Sequence, residues 1–229
     1  VSAVDRIRDV GIVPVVRATS AAEALEAVEA IRAGGIPILE ITLTVPGAVQ
    51  IIAELTSRFG DETLIGAGTV LDTDSAQACI DAGARFIVSP SLDLPTIALC
   101  RRLGVPIFPG ALTPTEIVTA WKAGADAVKV FPANALGGPS YLKSIKAPLP
   151  QIELIPTGGV SLKNAADFIT AGAFAIGVGA DLVDLAALRR GEASAITEKA
   201  REYVAAVASA RTPTRSAGVS PAGSAASRR

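Results

Sequence analysis

Lys122-Ala123-Gly124-Ala125-Asp126-Ala127-Val128-Lys129-Val130-Phe131-Pro132 holds both halves of the fold argument. The Lys-Ala-Gly-Ala opening ends an amphipathic run on glycine, the residue that most readily takes the left-handed backbone after a helix. A short β-branched and aromatic strand follows, apolar except for one lysine. Burying an ammonium among Val, Ala and Phe costs several kcal/mol unless it is paired or neutral, so folding alone gives little reason to keep Lys129 there.

The same punctuation recurs in both directions. Ala33-Gly34-Gly35, Asp81-Ala82-Gly83-Ala84 and Thr170-Ala171-Gly172-Ala173 each close a helix-like stretch before the next β-branched run. One such stretch, Ser20 to Ala33, opens on Ser20 as N-cap with Glu23 three residues on. Strands are expected at Ile12 to Arg17, Pro37 to Leu43, Thr63 to Gly68, Phe86 to Ser89, Val105 to Phe108, Ala127 to Phe131, Glu153 to Thr157 and Ala173 to Val178. This α/β order of eight strand-then-helix units matches a closed (β/α)8 TIM barrel better than an open doubly wound sheet. No Gly-x-Gly-x-x-Gly opens a helix after the first strand. Val1 to Val10 is then an extra N-terminal helix over the N-terminal mouth of the barrel.

With 229 residues, 50% of them apolar, the chain can bury one large core, and a single domain over 1–210 is the simplest count. From 211 to 229 the composition turns to Thr, Pro, Ser, Gly, Ala and Arg, which reads as a disordered tail. The 21 Lys plus Arg nearly balance 22 Asp plus Glu, so no basic excess draws the chain to nucleic acid or to a membrane surface. Small-molecule partners fit better. The absence of histidine removes Ser-His-Asp triads, Cys-His pairs and His-ligated metals. Cys79 and Cys100 lack Cys-x-x-Cys spacing and read as buried reduced thiols. No apolar run reaches the ~18 residues of a spanning helix, and Val1 to Val10 does not form a secretion signal, so a cytoplasmic location is expected.

Barrel enzymes place catalytic side chains at the C-terminal ends of their strands. Arg17 ends the first expected strand, Glu40 and Thr44 lie late in or just after the second, Thr69 follows the third, and Lys129 lies in the sixth. Alternation puts Ile38, Glu40 and Thr42 on one face and Leu39, Ile41 and Leu43 on the face toward the helices. By the same parity Ala127, Lys129 and Phe131 point together, so Lys129 and Glu40 both enter the barrel. A Lys-Glu pair that merely fills the interior is a weak structural device, since such pairs often gain nothing over apolar replacements. Covalent catalysis is the stronger reading: the unprotonated amine attacks a ketone to form an imine, and the carboxylate moves the protons. The protonated imine then draws electrons from the adjacent carbon, and a C–C bond beside that carbon can be made or broken. No metal and no cofactor besides the imine is called for.

A second constellation is glycine-rich. Gly158, Gly159 and Ser161 follow the seventh strand, and Gly177 and Gly179 fall at the eighth, where barrels commonly bind phosphate through backbone N–H groups.

Taken together, Leu39-Glu40-Ile41-Thr42-Leu43, Gly66-Ala67-Gly68-Thr69-Val70, Val88-Ser89-Pro90, Val128-Lys129-Val130-Phe131-Pro132-Ala133 and Pro156-Thr157-Gly158-Gly159-Val160 resemble the class I 2-keto-3-deoxy-6-phosphogluconate (KDPG) and 4-hydroxy-2-oxoglutarate (KHG) aldolases over about residues 5 to 208. The resemblance implies Lys129 as the Schiff-base lysine and Glu40 as the acid–base. It implies Thr69, Pro90 and Phe131 around pyruvate, and Arg17 on an anionic group of the substrate. Plainer roles stand beside these: a strand-end hydroxyl for Thr69, a turn proline for Pro90, a core side chain for Phe131, a surface arginine for Arg17. Two positions depart from the family pattern. Thr44 stands where many members carry an arginine that binds the pyruvate carboxylate, work that Arg17 and Thr69 would then share, and Ala180 where many carry a phosphate-binding serine, leaving backbone N–H groups with Ser161 and Asn164 as helpers. The implied reaction is reversible cleavage of KDPG to pyruvate and glyceraldehyde 3-phosphate by a homotrimer. The galactonate epimer and KHG are the alternative substrates, and a noncatalytic or engineered barrel scaffold is the alternative of another class.

Overall fold

The computed structural model describes residues 1–212, so the tail expected at 211–229 lies outside the described residues from 213 onward. Arg211 and Thr212 instead finish the last helix, as its final residue and its C-cap. Helices and strands alternate: α1 (Ala3–Val10), β1 (Ile12–Val16), α2 (Ala21–Ala33), β2 (Ile38–Thr42), α3 (Ala48–Phe59), β3 (Leu64–Gly68), α4 (Thr73–Asp81) and β4 (Ile87–Val88) come first. Then follow α5 (Leu94–Leu103), β5 (Ile107–Phe108), β6 (Gly110–Ala111), α6 (Pro114–Ala123), β7 (Val128–Val130), α7 (Pro139–Lys146), β8 (Leu154–Pro156), α8 (Ala165–Thr170), β9 (Ile176–Val178), α9 (Leu185–Arg189) and α10 (Ala193–Arg211). Among the described residues no helix is long and apolar enough to cross a membrane.

Every strand pairing is parallel, and the strands fall into a six-stranded sheet, β5-β4-β3-β2-β1-β9, and a three-stranded sheet, β6-β7-β8. The α/β architecture expected from the sequence stands. The expected fifth strand, Val105 to Phe108, is observed as Ile107 and Phe108 paired with β4, and a further short piece not expected from the sequence, Gly110 and Ala111, pairs with β7. Pro109 lies between the two pieces, and a residue without an N–H cannot continue a ladder on that side. A single parallel bridge, Thr157 to Gly177, links the other edges of the two sheets.

Alternation sorts the side chains into two cores. Leu39, Ile41, Val128 and Val130 join the helices in the larger one. Val13, Ile38, Leu64, Phe86, Phe108 and Ile155 form a smaller inner core on the opposite face. The inner core is closed near the strand starts by α1, whose Ile7 is fully buried in it. This is the covering role expected of the N-terminal residues.

The helix boundaries follow from single residues. Ser20 caps α2 by accepting from the Glu23 N–H at 3.2 Å. Gly83, Gly124 and Gly172 stand at φ 97, 97 and 98°, so the recurring Ala-Gly-Ala signal marks the same left-handed exit three times. At α6, Thr113 and Glu116 form a reciprocal capping box. Arg211 donates to the carbonyls of Asp9 and Phe174 at 2.7 and 3.2 Å, tying the last helix to the end of α1.

Candidate active site

Lys129 is the middle residue of β7, opposite Gly110 on one side and Ile155 on the other. Glu40 is the middle residue of β2, between Val15 and Gly66. The two strands belong to different sheets, yet their side chains meet across the inner face, with Lys129 Nζ 3.7 Å from Glu40 Oε1. Both residues are 2% exposed. Oε1 is buried with no hydrogen-bond partner among the described residues. At 3.7 Å the pair lies beyond normal hydrogen-bond length, so each group keeps capacity for a third.

Glycine makes the room. A Cβ on Gly68 would fall 2.6 Å from Glu40 Cδ and closer still to Oε1, and one on Gly66 would fall 2.5 Å from Phe86 Cδ2. The Gly-Ala-Gly run of β3 therefore removes two side chains from the inner face, one for the carboxylate and one for an aromatic ring. Thr69, the next residue, sits at φ 58°, and is the only non-glycine residue at positive φ among those described. A β-branched residue there is strained by roughly 1–3 kcal/mol, a pattern that collects at functional sites.

Two cavities adjoin at Thr157. The inner one, about 10 Å³, is lined by Glu40, Lys129, Thr157 and Gly177 together with apolar side chains. It has the room of about one water. The outer one, about 380 Å³, brings together Arg17, Phe131, Gly158, Gly159, Ser161 and Gly179, with Val15, Val160, Ala180 and Asp181 completing its wall. Phe131 stands near both, its ring centroid 5.5 Å from Lys129 Nζ. Gly158 and Gly159 lie at φ 90 and 75°. The backbone N–H groups of Gly159, Val160, Ala180 and Asp181 meet no acceptor among the described residues, which suits an anion.

Not every expected residue joins this group. Gly177 lies within β9 and lines the inner cavity, where a Cβ would meet Thr157 Cβ at 3.0 Å. Asn164 spends its side chain on the loop itself, accepting from the Ser161 N–H and donating to the Gly159 carbonyl, each at 2.9 Å. Pro90 touches the site through the backbone: a Cβ on Gly110, the neighbour of Lys129 across the ladder, would strike the Pro90 carbonyl. Thr44 is exposed and lines a separate surface groove formed by its own loop. Thr42 Oγ1 donates its one proton to the Val16 carbonyl at 2.9 Å, so in the 2.7 Å contact between the two hydroxyls Thr44 must be the donor. While that bond stands, Thr44 can only accept, and it cannot hold a carboxylate in the manner of an arginine.

Thr157, the one hydroxyl lining both cavities, was visible in the sequence only as the end of a strand. Its parity with Ile155 was the available signal. Elsewhere, Cys79 and Cys100 are free and buried, and burial pushes both thiols up to about 11. Burial and the 2.6 Å bond it donates to Asp181 raise the Tyr203 hydroxyl, so α10 buttresses the loop after β9 with a neutral phenol.

Known proteins carry the same pattern. Residues 4–199 match the family described as KDPG and KHG aldolase. The chain is 36% identical over 167 residues to 2-dehydro-3-deoxy-phosphogluconate aldolase of Treponema pallidum, covering 73% of this chain and 78% of that protein. It is 40% identical over 149 residues to 2-dehydro-3-deoxy-6-phosphogalactonate aldolase of Escherichia coli, covering 65% of this chain and 72% of that one. Among solved structures, KDPG aldolase of Legionella pneumophila, with pyruvate captured as a covalent carbinolamine, superposes with a TM-score of 0.80 at 32% identity, covering 86% of this chain and 96% of the other. With the ordered motifs on the strands where they were expected and most of its length matched, the chain belongs to the KDPG and KHG aldolase family.

Proposed function

We propose that this chain reversibly cleaves 2-keto-3-deoxy-6-phosphogluconate to pyruvate and glyceraldehyde 3-phosphate, with Lys129 as the imine-forming amine and Glu40 as the proton carrier. The observation that carries the reading is the buried amine 3.7 Å from a carboxylate oxygen that has no hydrogen-bond partner among the described residues. Lys129 Nζ adds to the C2 ketone, and the resulting hydroxyl takes a proton from Glu40 and leaves as water, giving the iminium. Glu40, now ionised, accepts the C4 hydroxyl proton. The C3–C4 bond breaks, its electrons pass into the iminium to form an enamine, and the aldehyde departs. Protonation at C3 and hydrolysis release pyruvate and the free lysine. The iminium does the electron-withdrawing that a Lewis acid would otherwise do, so the scheme uses no separate cofactor.

The inner cavity is too small for the carbon chain of the substrate, which must lie largely in the outer one. In this reading the phosphate lies against Gly158, Gly159, Ser161 and Gly179 beside Arg17, and the pyruvate end lies toward Lys129 and Phe131; Thr69 and Pro90 line neither cavity and keep their places around pyruvate from the family resemblance alone. The galactonate epimer is the second reading, favoured by the 40% identity to the Escherichia coli phosphogalactonate enzyme. Comparing kcat/KM for the two epimers and for 4-hydroxy-2-oxoglutarate separates them. The imine itself is tested by borohydride reduction with pyruvate. One reduced pyruvate adduct on Lys129 is expected, and a protein that stays unlabelled rejects the mechanism.

The same proposal extends to the architecture. The two sheets act as one closed (β/α)8 barrel forming a single domain over 1–210, a reading supported by the one-residue gap at Pro109 and by the Thr157–Gly177 bridge. Exposed Leu94, Leu103 and Trp121 on α5 and α6 give the apolar surface a homotrimer would use. A cytoplasmic site of action fits an enzyme of small phosphorylated metabolites.

A further inference from the structure

Among the described residues, Arg17 is the one cationic side chain lining the outer cavity. It is exposed and hangs from the loop after β1, so the course of that loop sets the point from which its side chain reaches the cavity. Two residues on, Thr19 enters a closed three-residue network. Its N–H and hydroxyl donate to Glu23 Oε2 at 3.0 and 2.6 Å, Arg189 Nε donates to Glu23 Oε1 at 2.7 Å, and Arg189 Nη2 donates to the Thr19 hydroxyl at 3.0 Å. Each donor has an acceptor, and both carboxylate oxygens are used. Arg189 ends α9, which follows the loop from Gly179 to Asp184 directly. The network thus ties Thr19, in the loop after β1, to α2 and to α9, the helix that follows the loop after the neighbouring strand β9, and a Cβ on Gly179 of that loop would lie 3.9 Å from Arg17 Nη1.

Exposed ion pairs of this kind add little to global stability, and the Arg189 side chain is 54% exposed. The value of the network is geometric. We propose that Arg189 and Glu23 are positioning residues that hold Arg17 over the outer cavity and so set affinity for the anionic end of the substrate without touching it. The inference rests on the aldolase reading above. Hydrogen bonds from Arg189 and Thr19 hold the Glu23 carboxyl down to about 2, so it stays ionised through the neutral range.

The test is steady-state cleavage of 2-keto-3-deoxy-6-phosphogluconate by R189A, E23Q, R17A and R17A/R189A, beside borohydride trapping of pyruvate on Lys129 in each protein. R189A is expected to raise KM roughly tenfold while kcat moves less than about twofold, and E23Q to shift KM the same way. Adding R189A to R17A should change nothing further, because the network acts only through Arg17. Trapping by pyruvate, which has no distal anion, should match the parent protein in R189A. An unchanged KM in both single variants, KM effects that multiply in the double variant, or a fall in kcat in step with melting temperature would overturn the proposal. Failure of the parent protein to trap pyruvate sinks the aldolase reading instead.

Discussion

At the scale of single residues, the site is built by subtraction as much as by placement. In the proposed reaction Lys129 and Glu40 supply the chemistry, and a side chain on Gly68 would take the space that the Glu40 carboxylate fills. Glu40→Gln keeps shape and volume while removing the acid–base, so turnover should fall by about 10²–10⁴ with the fold intact. Near-parental rates in a steady-state pyruvate-release assay would remove Glu40 from its assigned role. Gly68→Ala tests the space instead. Its methyl would press on the carboxylate, and displacing a buried side chain from a packed site costs roughly 1–3 kcal/mol. A lower melting temperature and a kcat well below that of the parent are expected, whereas an unaltered kcat would mean that Glu40 works from another position. Thr69, the residue after Gly68, holds a left-handed φ of 58° that strains a β-branched side chain.

At the scale of elements, most boundaries are local chemistry. Ser20, Asp72, Asp93, Thr113 and Asp184 each cap a helix through a side-chain oxygen, and a glycine follows the end of most of them. The capping box at α6 is the most complete, since Glu116 also accepts from the Thr113 N–H at 2.8 Å. Thr113→Ala should cost about 1 kcal/mol in denaturant unfolding. No loss of stability would show that α6 is held by its packing and not by its cap. The loop after β1 is held differently, because its Thr19 is bonded to Arg189 of α9, far away in the chain, and both are bonded to Glu23 of α2. Such a connection carries no local signature, and Glu23 reads in the sequence only as a capping residue.

At the scale of the whole molecule, the inner core, the outer core and the buried thiols report on global integrity. Cys79 and Cys100 are fully buried, with thiols pushed up to about 11 by desolvation, against an ordinary value of 9.0. Native protein should therefore resist iodoacetamide at mildly alkaline pH. Both cysteines should alkylate readily in denaturant, where burial no longer disfavours the thiolate. Rapid labelling of the native protein would show that helices α4 and α5 open independently of the rest. The sequence by itself determined the alternation of strand and helix, the glycine exits, and the shared face of Lys129 and Glu40, because each depends on a period or a cap set by neighbours along the chain. Tertiary structure alone decided the pairing of Gly110 and Ala111 with β7, the turning of Thr44 into its own loop, the placing of Gly177 with the inner cavity, and the junction at Thr157. These depend on which strand lies beside which and in what register, and a side chain one strand away leaves no mark on the local pattern.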